Sequence, residues 1–211
     1  MAFYKDDGAT LVYIVVLAWN HWEMTAACLH SILQMSYPYY AVILVDNWST
    51  DGTANFVRQS FPEVTVLAQP RNLGFAAGCN VGIRHALAQG AEFVFLLNND
   101  TLVDPNVLDV LVQRAMSLPR AGVLAPRICY MNDPERLWFA GSKLHHLTLE
   151  AMNFGPEGPR SSSEGALSSV DYLFGTALLI RRAVLEKTGL FDEAFFMYYE
   201  DMDFSLRARE A

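Results

Sequence analysis

The carboxylates and amides that leave the ends of apolar runs are the residues of this sequence best placed to do chemistry. Asn98-Asn99-Asp100 follows the run at 93–97. A hard divalent cation such as Mg²⁺ or Mn²⁺ takes oxygen ligands, often one or two carboxylates with substrate phosphates and water completing the shell. Taken alone, the tripeptide fits a plainer role better, with Asp100 capping the next turn and Asn98 and Asn99 satisfying local backbone groups. Val45-Asp46-Asn47-Trp48-Ser49-Thr50-Asp51-Gly52 offers a second carboxylate at a strand end. Asp46 could accept the imide N–H of a uracil or thymine ring, and Trp48 could stack on the base. An Asx-type turn and N-cap would use Ser49, Thr50 and Asp51 without any ligand.

Asn72-Leu73-Gly74-Phe75-Ala76-Ala77-Gly78-Cys79-Asn80 puts small residues at a helix entry. There the backbone can approach a nucleotide closely, and the helix N-terminus favours its negative charge. The same small residues would also let helix and sheet pack tightly. The segment is neither G-x-G-x-x-G nor a P-loop, which gives no support to a dehydrogenase or a phosphate-loop ATPase. Last, Glu200, Asp201 and Asp203 follow Phe195-Phe196-Met197-Tyr198-Tyr199. They read either as the solvated first turn of a helix or as a general base beside aromatic substrate-binding walls.

The elements that must carry these residues alternate. Strands are expected at 13–17, 41–45, 64–67, 93–97 and 122–128, the first of them a continuous β-branched and apolar run of the kind buried on both faces. Between them lie an amphipathic helix with Trp22, Ala26, Leu29 and Leu33 on one stripe, and a short helix at 54–59. A third helix passes through Ile83 and Leu87, and a fourth is capped by Asp104-Pro105 and reaches Met116. This order predicts an α/β fold, a doubly wound parallel sheet with helices on both faces. Ligands in such sheets sit at the carboxyl ends of the strands. That is where Asp46, the loop starting at Asn72, and Asp100 are released. Beyond residue 131 the pattern changes. A Gly-, Pro- and Ser-rich stretch at 156–165 reads as a mobile loop, 171–180 as another buried strand, and a short helix ends at Gly189. The last helical pattern runs to Ala211 without a C-cap, so the chain is expected to be incomplete at its C-terminal end.

Composition narrows the classes. Fifteen Lys and Arg against 23 Asp and Glu give a net charge of −8 over 211 residues. Nucleic acid is therefore not expected as a partner, since phosphate binding needs clustered cations. At 52% hydrophobic and 18% charged residues the chain is too rich in core formers to be disordered. The mean hydropathy of +0.16 leaves apolar surface for a partner or a membrane face. The apolar run at 11–19 is shorter than the roughly 20 residues of a bilayer span. Cys28, Cys79 and Cys129 form no C-x-x-C pair and fit a reducing compartment.

The ordered set of motifs resembles family 2 glycosyltransferases, with a look of their rhamnosyltransferase-like branch. It comprises Ala18-Trp19-Asn20, the 45–52 and 72–80 segments, Leu97-Asn98-Asn99-Asp100, Gly175-x-x-Leu178-Leu179-Ile180-Arg181-Arg182, Phe191-Asp192-Glu193 and Glu200-Asp201-x-Asp203. The resemblance implies a GT-A fold and inverting transfer from a nucleotide sugar, UDP- or dTDP-linked, with dTDP-rhamnose suggested by the branch. The acceptor would be a hydroxyl of a glycan or lipid-linked molecule. Residues 1–211 would form one catalytic domain, with 1–131 as the nucleotide-sugar half and 132–211 as the acceptor half. By position, Asp46 would hold the base, with Ala18, Trp19 and Asn20 beside the nucleoside. Asn72, Gly74, Asn80, Asn98, Asn99 and Asp100 would line the donor. Asp100 would bind the divalent cation, Mg²⁺ or Mn²⁺, where the family's D-x-D motif stands, although Asn98 replaces its first acid. Asp201 would be the base, with Glu200 next to it. A cytoplasmic location is expected, with peripheral association at the inner membrane face as one option. Two other readings are a binding module without turnover and a sugar nucleotidylyltransferase. The latter should carry a Gly-, Arg- and Lys-bearing loop after the first strand, where Ala18-Trp19-Asn20-His21-Trp22 stands instead. The catalytic reading requires Asp100 and Asp201 to converge on one cleft.

Overall fold

The computed structural model describes residues 10–145, 148, 150–153 and 168–211. The chain runs β1 (Val12–Ala18), α1 (Trp22–Leu33), β2 (Tyr40–Asp46), α2 (Thr53–Ser60), β3 (Thr65–Ala68), α3 (Gly74–Ala88), β4 (Phe93–Asn98) and α4 (Val107–Ser117). It continues through β5 (Val123–Leu124), β6 (Ile128–Tyr130), β7 (Asp133–Phe139), β8 (Ser142–Leu144), β9 (Ala151–Asn153), β10 (Ala177–Arg181), α5 (Arg182–Thr188) and α6 (Glu200–Glu210). Six strands form the central sheet in the order β3-β2-β1-β4-β10-β5. The expected α/β architecture is present, with β1 to β4 parallel, because each is followed by a helical crossover that cannot close an antiparallel pair.

Alternate residues of β1 feed two cores, as a strand covered on both faces requires. Val12, Ile14 and Val16 pack with Cys28, Leu29 and Ile32 of α1, Val57 of α2 and Leu108 and Leu111 of α4. Tyr13 and Val15 pack on the other side with Cys79 and Ile83 of α3, Leu185 of α5 and Phe204 of α6. Gly78 and Gly82 let α3 lie directly on β1. A Cβ at Gly78 would stand 2.7 Å from Leu17, and one at Gly82 would collide with Val15.

Several expectations are corrected. The buried stripe of α1 is Thr25, Cys28, Leu29 and Ile32, whereas Trp22, Ala26 and Leu33 are only half-buried. Ala26 and Leu33 still pack against the core beside Leu29, and Trp22 packs its ring 4.5 Å from that of Phe56 on α2. The fourth helix starts at Val107, because Asp104 accepts a hydrogen bond from the Asn106 N–H in a turn before it. The strand expected at 122–128 is broken into β5, in the central sheet, and β6, which pairs with β7 in a hairpin. The strand expected at 171–180 shortens to β10, and it pairs antiparallel with β4 and β5. The sheet is therefore mixed. Among the described residues the intervening chain supplies hairpins, and β10 enters beside the end of β4, where the Asn98 N–H donates to the Thr176 carbonyl at 3.1 Å. The stretch at 156–165, read as a loop, lies outside the described residues.

Candidate active site

β1 lies between β2 and β4, so the chain winds away from it in both directions, and a crevice must open beyond the carboxyl ends of β1 and β4. A cleft of about 200 Å³ occupies that position. Leu17 and Trp19 line it from β1, Asn47 from the end of β2, Asn72, Gly74 and Phe75 from the start of α3, and Asn98, Asn99 and Asp100 from β4. Met197 closes it from the segment before α6.

The walls are built by short polar links between loops. Asn20 and His21 both adopt left-handed backbone conformations (φ 60° and 58°), which Asn and His tolerate better than most residues. The Asn20 N–H donates to Ser49 Oγ at 2.7 Å, and Asn20 Oδ1 accepts from the Thr50 N–H at 2.8 Å. The Trp22 N–H donates to Asp51 Oδ2 at 3.3 Å. Thus the expected turn chemistry of 49–52 is used to latch the β1 loop to the β2 loop, and it holds Trp19 half-exposed over the cleft. Asn20 acts as this latch and is not part of the lining. Asn47 plays the corresponding role on the other side. Its amide donates to Asn72 Oδ1 and the Gly74 carbonyl, both at 3.0 Å, and accepts from the Leu73 N–H at 2.9 Å. Gly74 has φ 81°, and a Cβ there would strike the Phe196 carbonyl, to which the Phe75 N–H donates at 2.6 Å. Only glycine allows α3 to start against the 196–199 segment.

Asp46 ends β2 with 3% exposure, and its Oδ1 is buried without a hydrogen-bond partner. Buried polar atoms are nearly always satisfied, which makes this oxygen an open acceptor, but Asp46 is not among the residues that line the cleft. Ala18, opposite it in register, is fully buried, and its carbonyl accepts from the Asn47 N–H. It shapes the floor through its backbone and presents no side chain to the cleft. Asp100 is exposed at the cleft wall. The Asn99 amide turns back to donate to Thr25 Oγ1 at 2.9 Å. Behind Asp100, burial pushes the Cys28 thiol up to about 11, so the thiol stays neutral.

Asn80 is corrected. It is fully buried on α3, and its amide donates to the Phe191 carbonyl at 2.9 Å and to Glu193 Oε1 at 3.0 Å, while its oxygen accepts from the Phe191 N–H at 3.1 Å. These bonds leave it as a clamp on the C-terminal segment with no surface toward a donor. Glu200 is corrected too. It is 4% exposed, its Oε2 has no partner, and burial, followed by the charge of Asp201, raises its carboxyl above the usual range. It faces inward and is given no proton-transfer step.

Asp201 is not part of the cleft lining. Its Oδ1 accepts from the Tyr172 hydroxyl at 3.1 Å and the Met202 N–H at 2.9 Å, and its Oδ2 accepts from the Gly175 N–H at 2.9 Å. Gly175 is in contact with Phe75, a cleft residue: a Cβ on it would stand 2.9 Å from the Phe75 ring and 3.6 Å from Asp201 Oδ2. Asp100 and Asp201 thus do not both line this cleft, and Asp201 is linked to it only through Gly175 and Phe75. It is half-buried beside the exposed Met197, Tyr198 and Tyr199. Tyr198 and Tyr199 both have positive φ (72° and 70°), a strained arrangement for bulky residues. Sequence reasoning missed Ser49, Phe75, Tyr172 and Gly175 as site residues. Phe75 lay inside a quoted motif, but the partner of Tyr172 is 29 residues away and no local signal marks it.

Comparison with known proteins agrees with this architecture. The chain is 32% identical over 191 residues to the N-acetylglucosaminyl-diphospho-decaprenol L-rhamnosyltransferase of Mycobacterium tuberculosis, covering 81% of this chain and 61% of that protein. It thus spans about three fifths of the length of that relative. S. aureus TarS 1-349 superposes with a TM-score of 0.69 at 20% identity, over 95% of this chain and 55% of that one. The mannosyltransferase PcManGT from Pyrobaculum calidifontis, in complex with GDP-Man and Mn2+, does so with 0.65 at 21% identity, over 92% and 50%. These superpositions identify the fold as the GT-A type. Residues 13–189 match the family described as Glycosyl transferase family 2. Every cleft residue from Leu17 to Asp100 falls within that match, and the chain belongs to glycosyl transferase family 2.

Proposed function

We propose that this chain carries the donor site and the base of an inverting glycosyltransferase. It would move a sugar from a nucleoside diphosphate, UDP- or dTDP-linked, to a hydroxyl of a glycan or lipid-linked acceptor. The observation that carries the reading is the buried Asp46 Oδ1 without a partner, at the carboxyl end of the strand beside the cleft. An imide N–H of a pyrimidine is a donor of the right kind for that atom. Residues 1–131 then hold the donor and 132–211 the acceptor side, with the exposed Met197-Tyr198-Tyr199 run as the wall along which an acceptor reaches Asp201. A rhamnosyl donor is favoured by the named activity of the mycobacterial relative.

Asp100 fits a divalent cation that arrives with the donor. Among the described residues no group of three or more His, Cys, Asp or Glu could hold a metal by itself. Mg²⁺ and Mn²⁺ need only one or two carboxylates when substrate phosphates complete the shell, and the exposed Asp100 carboxylate supplies one. When bound, such a cation neutralises charge on the departing diphosphate. PcManGT, of the same fold, was solved with Mn2+. Asp201 takes the acceptor proton as the oxygen attacks the anomeric carbon, a step that contributes about 10²–10⁴-fold. No helix among the described residues is long and apolar enough to cross a membrane. Contact with a lipid-linked acceptor would therefore come from the surface of these residues or from chain outside them.

Calorimetry and donor turnover test this together. Asp46→Asn should weaken UDP or dTDP binding at least tenfold, Asp100→Ala should abolish only the enhancement by Mn²⁺, and Asp201→Asn should stop turnover while binding persists. Wild-type turnover by Asp201→Asn would remove it as the base. Tight nucleotide binding with no turnover by the wild-type chain would favour a binding module instead.

A further inference from the structure

Resting on the reading of Asp201 as the base, we propose that Tyr172 is a positioning residue that holds Oδ1 of Asp201 and leaves Oδ2 as the oxygen that receives the acceptor proton. A carboxylate oxygen has two lone pairs. Oδ1 spends both, on the Tyr172 hydroxyl at 3.1 Å and the Met202 N–H at 2.9 Å. Oδ2 spends one, on the Gly175 N–H at 2.9 Å, and keeps the other. During transfer the acceptor O–H bond breaks, its oxygen bonds to the anomeric carbon, the phosphate leaves with the bonding pair, and the proton passes to Oδ2.

Tyr172 is built to be rigid. It is 8% exposed, its ring edge meets Phe174 at 5.1 Å, and its backbone is paired on both sides with Ser142. Ser142 of β8 thus fixes the backbone of Tyr172, and the Tyr172 hydroxyl in turn reaches Asp201 on α6, 29 residues away. Burial first, and then the charge of Asp201, raises the Tyr172 phenol well above its ordinary value, so it remains a donor throughout the working pH range. The other titratable groups that face it are Glu200 and Tyr199. Glu200 in turn faces Cys79, and Asp203 is paired with Arg207.

The test uses the full chain, a panel of UDP- and dTDP-sugars with Mn²⁺, and water as acceptor. Tyr172→Phe should lower kcat roughly tenfold, as expected for one hydrogen bond to a charged group, and leave the donor KM unchanged. Replacing Tyr172 with 2,3-difluorotyrosine, which keeps the hydroxyl donor, should restore kcat. Independently of turnover, a slowly exchanging hydroxyl proton should appear in the NMR spectrum of the wild type and vanish in both Tyr172→Phe and Asp201→Ala. An unchanged kcat in Tyr172→Phe overturns the positioning role, as does an effect confined to KM. Wild-type hydrolysis by Asp201→Asn, or no hydrolysis of any donor by the wild type, overturns instead the reading on which the proposal rests.

Discussion

Two acids of the site carry buried oxygens that lack partners, Asp46 Oδ1 and Glu200 Oε2, and the difference between them decides what each can do. Asp46 ends a strand at the ligand edge of the sheet. Glu200 points inward at the start of α6 and has no polar surface to meet. Burial, reinforced by Asp201, raises the Glu200 carboxyl above its ordinary value near 4.5. A group raised in the folded state binds its proton more tightly there than in the unfolded chain. Its contribution is therefore fully present below about 4.5 and is lost as the pH climbs through the raised value. Glu200→Gln cannot ionise, so the variant should gain on the wild type as the pH rises. Thermal melts should show the two equal or the wild type ahead near pH 4, and the variant more stable by about 1–3 kcal/mol at neutral pH. A difference that does not change with pH would mean that folding does not raise the carboxyl. The sequence showed three acids crowded within four positions, but not which of them turns inward, because i and i+1 on a helix point in different directions and only packing selects the buried one.

At the scale of elements, α3 is the piece whose fit the site depends on most. It starts at the cleft with Gly74, lies on β1 through Gly78 and Gly82, and clamps the C-terminal segment through Asn80. Of the two roles open to the small residues at 72–80, helix–sheet packing occurs at Gly78 and is continued one turn later by Gly82, whereas the close approach that Gly74 makes is to the Phe196 carbonyl. Helix propensity alone predicts that Gly82→Ala stabilises by about 1 kcal/mol. Here the new methyl would collide with Val15, so overpacking should win and the variant should lose about 1–3 kcal/mol in chemical denaturation. A gain in stability would show that α3 does not bear on β1 at that point. The boundaries of β1 to β4 were readable to within a residue or two, because a continuous apolar run is the mark of a strand covered on both faces. The 122–128 segment was not, since Pro126 and Arg127 interrupt it and its two ends fall in different sheets.

Across the whole molecule, the C-terminal segment joins the rest through β10, which lies between β4 and β5, and through Leu185, Phe191 and Phe204 in the second core. Two polar links add to this: Asn80 binds Phe191 through both its amide N–H and its oxygen, and the Phe75 N–H donates to the Phe196 carbonyl. The exposed pair Arg84–Glu193 nearby adds little, because solvent screens it. Asn80→Ala would leave the buried N–H and C=O of Phe191 without these partners. It should cost about 2–4 kcal/mol and expose the 192–199 segment to limited proteolysis before the central sheet unfolds. A wild-type cleavage rate would locate the clamp elsewhere.

By itself the sequence determined the alternating α/β order, the strand ends that release Asp46 and Asp100, and the family to which the ordered motifs belong. All of these are written in local periodicity and short spacing. The tertiary structure alone decided that β10 enters antiparallel and that Asn80 and Glu200 face inward. It also decided that Asp201 does not line the cleft with Asp100 and that Tyr172 holds its carboxylate. Each of these depends on groups brought together from distant parts of the chain, and burial and hydrogen-bond partners at that range are set by packing, which no local pattern encodes.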